Sequence, residues 1–283
     1  MENSKKFLET HKIEYDLHTH STISDGTFSP EEIISSAAKI GLKGISITDH
    51  DNFYEIDLTE FAKEKNIIYI KGVEFSTDIT NLHILGYNIN YNCKEFQDYI
   101  SNQKLERELA LKKMCEKSKE YNIPVDFEEL KEFSNNKTLG RPHLAAIMVK
   151  KGYVKNIYHA FSKYLKYNKP IFVDYKKFNF KKIINIILNC NGIPVLAHPG
   201  MLKENIFKKI FMDAVKSGLK GIEAYYTRHS YNQTLYFLEL AKKFNLIVTG
   251  GSDFHGDVKP DIKLGQAGIN EEEFQRFSKL IFS

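Results

Sequence analysis

An α/β fold is what this sequence predicts, built as a closed or distorted barrel of βα units with a helical insertion. Four observations point there. Short runs rich in Ile and Val alternate with segments of helical spacing, which argues for a parallel sheet with helical crossovers. Six or seven such units in one chain favour a closed barrel over an open sheet. The alternation stops between residues 93 and 165, where only helical spacing is found. The residues able to bind metal or move protons fall at the strand ends, where a βα barrel gathers its functional groups.

"IEYDLHTH" (13–20) reads as the first strand. In "SPEEIISSAAKIGL", Ser29 is placed as N-cap, Pro30 as first helical residue, Glu32 as capping-box partner, and Gly41 as the stop. "KGISITDH" (43–50) is the second strand, "FAKEKN" sits in a helix, and "IIYIKGVEFS" (67–76) and "LHILGYNI" (82–89) follow as strands. Residues 94–120 then carry Phe96, Ile100, Leu105, Leu109 and Leu111 as a helical face, and 126–165 continue as short helical pieces with "SNNKTLGRPHLA" as a turn. The alternation resumes with the helix "KKIINIILNCNG", stopped by Gly192, and the strand "IPVLAHPG" (193–200). The helix "NIFKKIFMDAVKSGLKG", strand "IEAYYTRH" (222–229), helix "YNQTLYFLELAKKFN" and strand "LIVTGGSDFHG" (246–256) complete the order. The expected division is a barrel of residues 1–92 and 166–283 with an insertion at 93–165.

A chain of 283 residues can carry one large α/β domain or one domain with a substantial insertion. A net charge of +4 suits an anionic substrate but is far below that of a protein that coats nucleic acid. Cys93, Cys115 and Cys190 are scattered and odd in number, so no disulfide framework is expected and a reducing cytoplasm is the default. "MENSKKFLETHKIEYD" has no apolar core of a signal peptide, and no apolar run approaches the roughly 20 residues that span a bilayer.

The strand ends deliver His18 and His20, then Asp25 from the following loop, Asp49 and His50, Glu74, His83, His198, Arg228 and His229, and Asp253 and His255. Taken singly, a histidine at such a place is more often a hydrogen-bonded packing residue, and a carboxylate more often a helix cap. Asp49 is read as a cap or as a partner orienting a histidine. The combination changes the balance. Imidazoles and carboxylates without thiolates suit Zn, Mn or Fe. His18 and His20, at i and i+2 on an extended strand, face the same way, with Thr19 turned aside. Nine such groups exceed one tetrahedral ion, so a multinuclear cluster is the economical reading. His11 and His159 are left as surface residues, and His143 as a helix-start or pocket residue.

The motifs "DLHTHSTISDGTFSPEEI", "ISITDHD", "GVEFS", "HILGY", "GRPHLA", "VLAHPG" and "GGSDFHG" resemble, in order and over nearly the whole chain, the PHP (polymerase and histidinol phosphatase) family of metal-dependent phosphoesterases. "GRPHLA" and "IEAYYTRHS" bring it nearest to the subgroup that dephosphorylates 3′,5′-bisphosphonucleotides or trims short RNA from its 5′ end. The resemblance implies a distorted (β/α)7 TIM-like barrel with a helical insertion and three divalent metal ions, Mn2+ first, Fe2+ or Zn2+ as alternatives. It assigns His18, His20, Glu74 and Asp253 to the first ion. Asp25, His50 and His255 go to the second. Glu74, His83 and His198 go to the third, with Glu74 bridging. The expected reaction is attack of a metal-bridging hydroxide on phosphorus. Arg141 and Arg228 are the expected phosphate clamps, His229 binds phosphate or protonates the leaving oxygen, and Asp253 joins Arg141 and His229 as catalytic. The expected partner is a small nucleotide or short oligonucleotide, with no membrane and no stable protein partner. Rival readings are a histidinol-phosphate phosphatase, a non-catalytic metal-binding module serving a polymerase, and an amidohydrolase acting on a C–N bond.

Overall fold

The structure, a computed structural model, describes residues 11–133 and 139–281. Seven strands form one sheet in chain order: β1 (Tyr15–Thr19), β2 (Gly44–Ile47), β3 (Ile68–Ser76), β4 (His83–Tyr87), β5 (Ile193–Leu196), β6 (Gly221–Tyr226) and β7 (Ile247–Gly251). The helices are α1 (Pro30–Lys39), α2 (Thr59–Glu64), α3 (Lys94–Glu120), α4 (Phe127–Phe133), α5 (Arg141–Lys150), α6 (Ile157–Ala160, prolonged by a π turn, Phe161–Leu165), α7 (Phe180–Asn189), α8 (Glu204–Lys216), α9 (Tyr231–Phe244) and α10 (Glu271–Ile281). The part of the expected "SNNKTLGRPHLA" turn at 134–138 lies outside the described residues.

The alternation predicted a parallel sheet, and the sheet departs from it at one strand. β1 to β3 run parallel, as do β5 to β7, but β4 is antiparallel to both β3 and β5. The reason is loop length. Residues 77–82 separate β3 from β4, and a parallel return needs a crossover of a dozen residues or more. The reversal puts the start of β4 beside the end of β3, with His83 opposite Ser76. β7 then returns to β1. The Asp253 N–H donates to the His18 carbonyl at 2.8 Å, and the His20 N–H to the Phe254 carbonyl at 2.9 Å. Gly251 permits this contact, because a Cβ there would stand 2.4 Å from the His18 backbone nitrogen. The barrel is nearly closed.

Ser29 and Glu32 form the reciprocal cap of α1, and Gly41 follows it at φ +81°. Apolar side chains collect in separate cores. The barrel core includes Leu17, Phe75, Tyr87, Ile184, Val195, Phe207 and Phe277. A distinct core, with Leu111, Met114, Leu144, Met148, Leu165 and Ile171, lies within the helices that follow β4. α3 ties the two together. Its first turns place Phe96, Tyr99 and Ile100 in the barrel core, and its later turns place Ala110, Leu111 and Met114 in the other.

Several expectations change here. Leu105 and Leu109 are 56% and 46% exposed. The inward face of α3 runs instead through Tyr99, Gln103, Arg107 and Ala110, a spacing of 3 to 4 that carries polar groups. Cys93, the N-cap of α3, is disulfide-bonded to Cys190, the C-cap of α7, with Cα atoms 5.5 Å apart. A separation of 97 residues left no spacing signal for this pair. The bond removes the cysteine argument for a reducing compartment. His11 is not at the surface: its ring stacks on Tyr225 at 4.0 Å and its Nε2 pairs with the Gly268 carbonyl. His159 serves a local turn, where its Nδ1 accepts from the Lys155 N–H. α10 was not foreseen. Its Phe274 stacks on Tyr15 and its Phe277 meets Tyr87 edge-on. No described helix is long and apolar enough to cross a membrane.

Candidate metal centre

The strand geometry brings the ligand-type residues to one mouth. On β1 the alternation of side chains sets Asp16, His18 and His20 on one face. Thr19 points the other way, its hydroxyl donating to the Ser46 carbonyl. The Nε2 atoms of His18 and His20 are 3.1 Å apart. Asp16 accepts from the Ser252 N–H and hydroxyl and the Gly265 N–H, which pins the β7 turn carrying Asp253. Asp253 has φ +58° and His198 φ +27°, a backbone region most side chains avoid. Each is held there by a buried hydrogen bond: Asp253 N–H to the His18 carbonyl, and His198 N–H to Glu223 Oε2.

Glu74 is the centre. Its Oε2 lies 3.3 Å from His18 Nε2, 3.1 Å from His20 Nε2 and 3.1 Å from His50 Nδ1. Its Oε1 lies 2.7 Å from His83 Nδ1 and 2.8 Å from His198 Nε2. The reversed β4 explains how a strand-start histidine reaches this place. Asp253 Oδ1 is 3.3 Å from both His20 Nε2 and His255 Nδ1. Asp25 Oδ1 is 3.3 Å from His255 Nε2 and 3.8 Å from His20 Nδ1. Three overlapping groups have ligand atoms close enough to share an ion. They are His18, His20, Glu74 and Asp253; His20, Asp25, His50 and His255; and His50, Glu74 and His83. His18 and His20 are wholly buried, whereas Asp25, His50 and His83 form a partly open rim.

The electrostatics match. Burial opposes the charge of Glu74, yet His50, His83 and His18 hold its carboxyl well below the carboxylate range. Burial likewise disfavours the His20 imidazolium, but Asp253 and Glu74 outweigh it and lift its pKa to about 9. His50 is pushed down to about 3, by burial before any charge. Protons and cations therefore compete for the same nitrogens. The donor set fits a metal on further grounds. His20 Nδ1, His50 Nδ1 and His198 Nδ1 are buried without a well-formed hydrogen bond. Two imidazole nitrogens facing one another at 3.1 Å need a proton or a cation between them.

Other residues fall differently from the sequence reading. Asp49 hydrogen-bonds no histidine among the described residues; it accepts from the Ser21 N–H and hydroxyl and the Ser24 hydroxyl, bracing the loop after β1. His229 has both ring nitrogens engaged by the backbone. Its Nδ1 donates to the Ala224 carbonyl and its Nε2 accepts from the Gly200 N–H, each at 3.0 Å. A neutral ring held so has no proton facing a leaving oxygen. Arg228 is exposed and paired with Asp261. Arg141, the first residue of α5, is partly buried. Its guanidinium lies over the Phe161 and Phe172 rings and donates to the Leu165 carbonyl at 3.2 Å. Asp25 and Arg107 lie near enough to act on its charge. His143, at the same helix start, accepts the Gly140 N–H.

The sequence reading missed four groups. Glu223, wholly buried within β6, accepts from His18 Nδ1 at 2.9 Å and from the His198 N–H. Its signal was a charge in the middle of the strand segment "IEAYY". Lys259 Nζ and the Tyr226 hydroxyl both reach Asp253 Oδ2, at 2.7 and 2.9 Å. Arg107 pairs with the buried Asp51, directly after His50, and with the Tyr175 hydroxyl.

The comparisons agree with this geometry. Residues 16–215 match the PHP domain. A 5′-3′ exoribonuclease of Haemophilus influenzae is 33% identical over 248 residues, covering 85% of this chain and 89% of the relative. A 3′,5′-nucleoside bisphosphate phosphatase of Chromobacterium violaceum is 28% identical, covering 85% of this chain and 86% of the relative. Among solved structures, a protein named as an amidohydrolase from Chromobacterium violaceum, with bound sulfate and no metal, superposes with a TM-score of 0.82 at 25% identity, covering 94% of this chain and 96% of that one. A Bifidobacterium adolescentis protein shares the fold at a TM-score of 0.84, 24% identity, 94% of this chain and 96% of that one. With its mouth of imidazoles around one glutamate and this match over most of its length, the chain belongs to the PHP family of phosphoesterases.

Proposed function

We propose that this protein hydrolyses phosphate esters of nucleotides, either 3′,5′-bisphosphonucleotides or the 5′ ends of short RNA, at a centre of three divalent ions, Mn2+ first among them. The observation that carries the reading is Glu74, one buried carboxylate within 3.3 Å of nitrogens from five histidines. The relatives named for a nucleoside bisphosphate and for RNA 5′ ends support the substrate class.

His18, His20, Glu74 and Asp253 would hold one ion, Asp25, His50 and His255 a second, and Glu74, His83 and His198 a third. Bound there, divalent ions would supply charge for the phosphoryl oxygens and lower the pKa of a coordinated water to about 7. The chain's own groups do the rest. Glu223 fixes the ring of His18 by accepting its Nδ1–H, so that Nε2 is left as the ligand atom. Arg107 and Arg141 present guanidinium planes to a phosphate at the rim, which a lysine does less specifically. Arg141 is pre-set by stacking on Phe161 and Phe172. Lys259 offsets the charge of Asp253, its Nζ standing 2.7 Å from Oδ2. Residues 93–165, as an insertion, would wall the site and limit what enters.

The test is a substrate panel with added Mn2+, containing adenosine 3′,5′-bisphosphate, 5′-phosphorylated RNA oligomers and histidinol phosphate. Phosphate or mononucleotide release from either of the first two is expected. Turnover confined to histidinol phosphate would overturn the substrate class. Metal binding with zero turnover on every ester would restore the non-catalytic module.

A further inference from the structure

The positive charge of this chain is not evenly spread. Residues 133–173 contain seven lysines, one arginine and no Asp or Glu. The whole chain carries +4, so the remainder is net negative. This segment includes α5, α6 with its π turn, and the loop after it. Tyrosines are interleaved with the lysines in "KNIYHAFSKYLKYNK" (155–169). Tyr158 is 76% exposed and Tyr167 55%, the former the most exposed of the large hydrophobic side chains described. Lys155, Lys163, Lys166 and Lys169 are exposed, and none has a carboxylate within ion-pair distance among the described residues.

Exposed rings of this size are not explained by the adjoining core, which Leu165 and Ile171 fill from the same segment. Unpaired lysines beside them keep the surface from closing on another apolar face. Aromatic faces alternating with cations are what a single strand needs: each base has a π face to stack, and each phosphate a charge to neutralise. A duplex offers no free base face, so the rings favour an unpaired strand.

The surface is also continuous with the mouth. Tyr167 meets Phe172 edge-on at 5.7 Å. Phe172 and Phe161 carry the Arg141 guanidinium, and Arg141 donates to Leu165, the last residue of the π turn. Asp25 of the cluster lies within range of the same guanidinium. One ring, Phe172, thus separates Arg141 from the exposed Tyr167.

We propose that Tyr158, Lys163, Lys166 and Tyr167 form a track for a single-stranded oligonucleotide whose terminal phosphate lies at the cluster. This rests on the phosphoesterase reading and deepens it: the surface matters for chains of several nucleotides and not for a mononucleotide.

The experiment compares the native protein with Tyr158→Ala/Lys163→Gln/Lys166→Gln, three exposed changes outside the metal and arginine groups. Hydrolysis of 5′-phosphorylated adenylate dimers and octamers, as RNA and as DNA, is measured beside adenosine 3′,5′-bisphosphate. Binding of a 3′-labelled octamer is followed by fluorescence anisotropy against salt. The triple variant should raise the octamer KM and Kd at least tenfold and leave the dimer and mononucleotide within twofold. Loss of two phosphate contacts should also flatten the salt slope by about 1.4. An equal effect on RNA and DNA indicates stacking and phosphate contact alone; loss confined to RNA adds a 2′-hydroxyl contact to the same track. Unchanged octamer binding overturns the track, as does octamer binding that anionic vesicles or an acidic peptide displace while oligonucleotide turnover stays native. If no ester is turned over but the octamer binds in a track-dependent way, the phosphoesterase reading fails and the track stands.

Discussion

The two walls of the mouth are built on opposite principles. The strand-end wall is buried, with imidazoles and carboxylates packed so that each charge has a partner within about 3 Å. His18 and His20 have no exposed surface at all. The helical wall is cationic and aromatic. It carries Arg107 and Arg141 inward and lysines with tyrosines outward, with no acid in 133–173. The difference teaches how the proposed function divides: it puts chemistry and choice of substrate on separate elements. Each wall can then be broken without the other, and the size of the effect should sort by wall.

Removing the carboxylate at the centre should have the largest effect. Glu74→Gln keeps the volume but takes the charge that five histidines face. Phosphoester hydrolysis should fall by about a thousandfold or more, with metal content lost by elemental analysis. A variant that keeps its metal and its rate would remove Glu74 from the centre. Glu223→Gln comes next. It touches no rim group but fixes His18 and the His198 backbone. Metal affinity or rate should drop 10- to 100-fold, the range for partners of ligating histidines. On the other wall, Arg141→Ala should raise KM for a bisphosphate about tenfold with metal content intact. Unchanged kinetics would take the phosphate from Arg141.

The smallest effect is a pH dependence that belongs to the buried wall alone. In the metal-free protein His20 is lifted from 6.5 to about 9 by Asp253 and Glu74, against the cost of burial. Below about pH 6.5 it is protonated folded or unfolded, so its stabilising contribution is complete. That contribution is lost as pH rises through about 9. The melting temperature of metal-free protein should therefore fall by a few degrees between pH 6.5 and 9. Metal affinity should rise over the same interval, because the ion displaces those protons. Affinity flat across this range would show that His20 does not gain a proton when the metal leaves.

The buried wall was legible because its grammar is local. An H-x-H on an extended segment must present both rings to one side, while "TDH" and "SDFH" directly follow β2 and β7 and "GVE" lies in the last half of β3. The reversed β4 was not legible from alternation, though the six-residue loop before it already forbade a parallel return. The helical wall was hidden for another reason. Leu105 and Leu109 look like the inward positions of α3, but a helix that faces a polar site buries Gln103 and Arg107 instead. Hydrophobic spacing alone cannot show a face whose inward groups are charged. Arg228 and His229 sit beyond β6, where strand register no longer says where a side chain points. The Cys93–Cys190 pair is a contact of tertiary structure only.

The most direct measurement is a metal titration of chelator-stripped protein, read as phosphate release from adenosine 3′,5′-bisphosphate and as mononucleotide release from a 5′-phosphorylated RNA dimer. The account predicts no release without metal, recovery on adding Mn2+ with more than one ion bound per chain, and no recovery in Glu74→Gln. Full release from metal-free protein, or full recovery in Glu74→Gln, would contradict it.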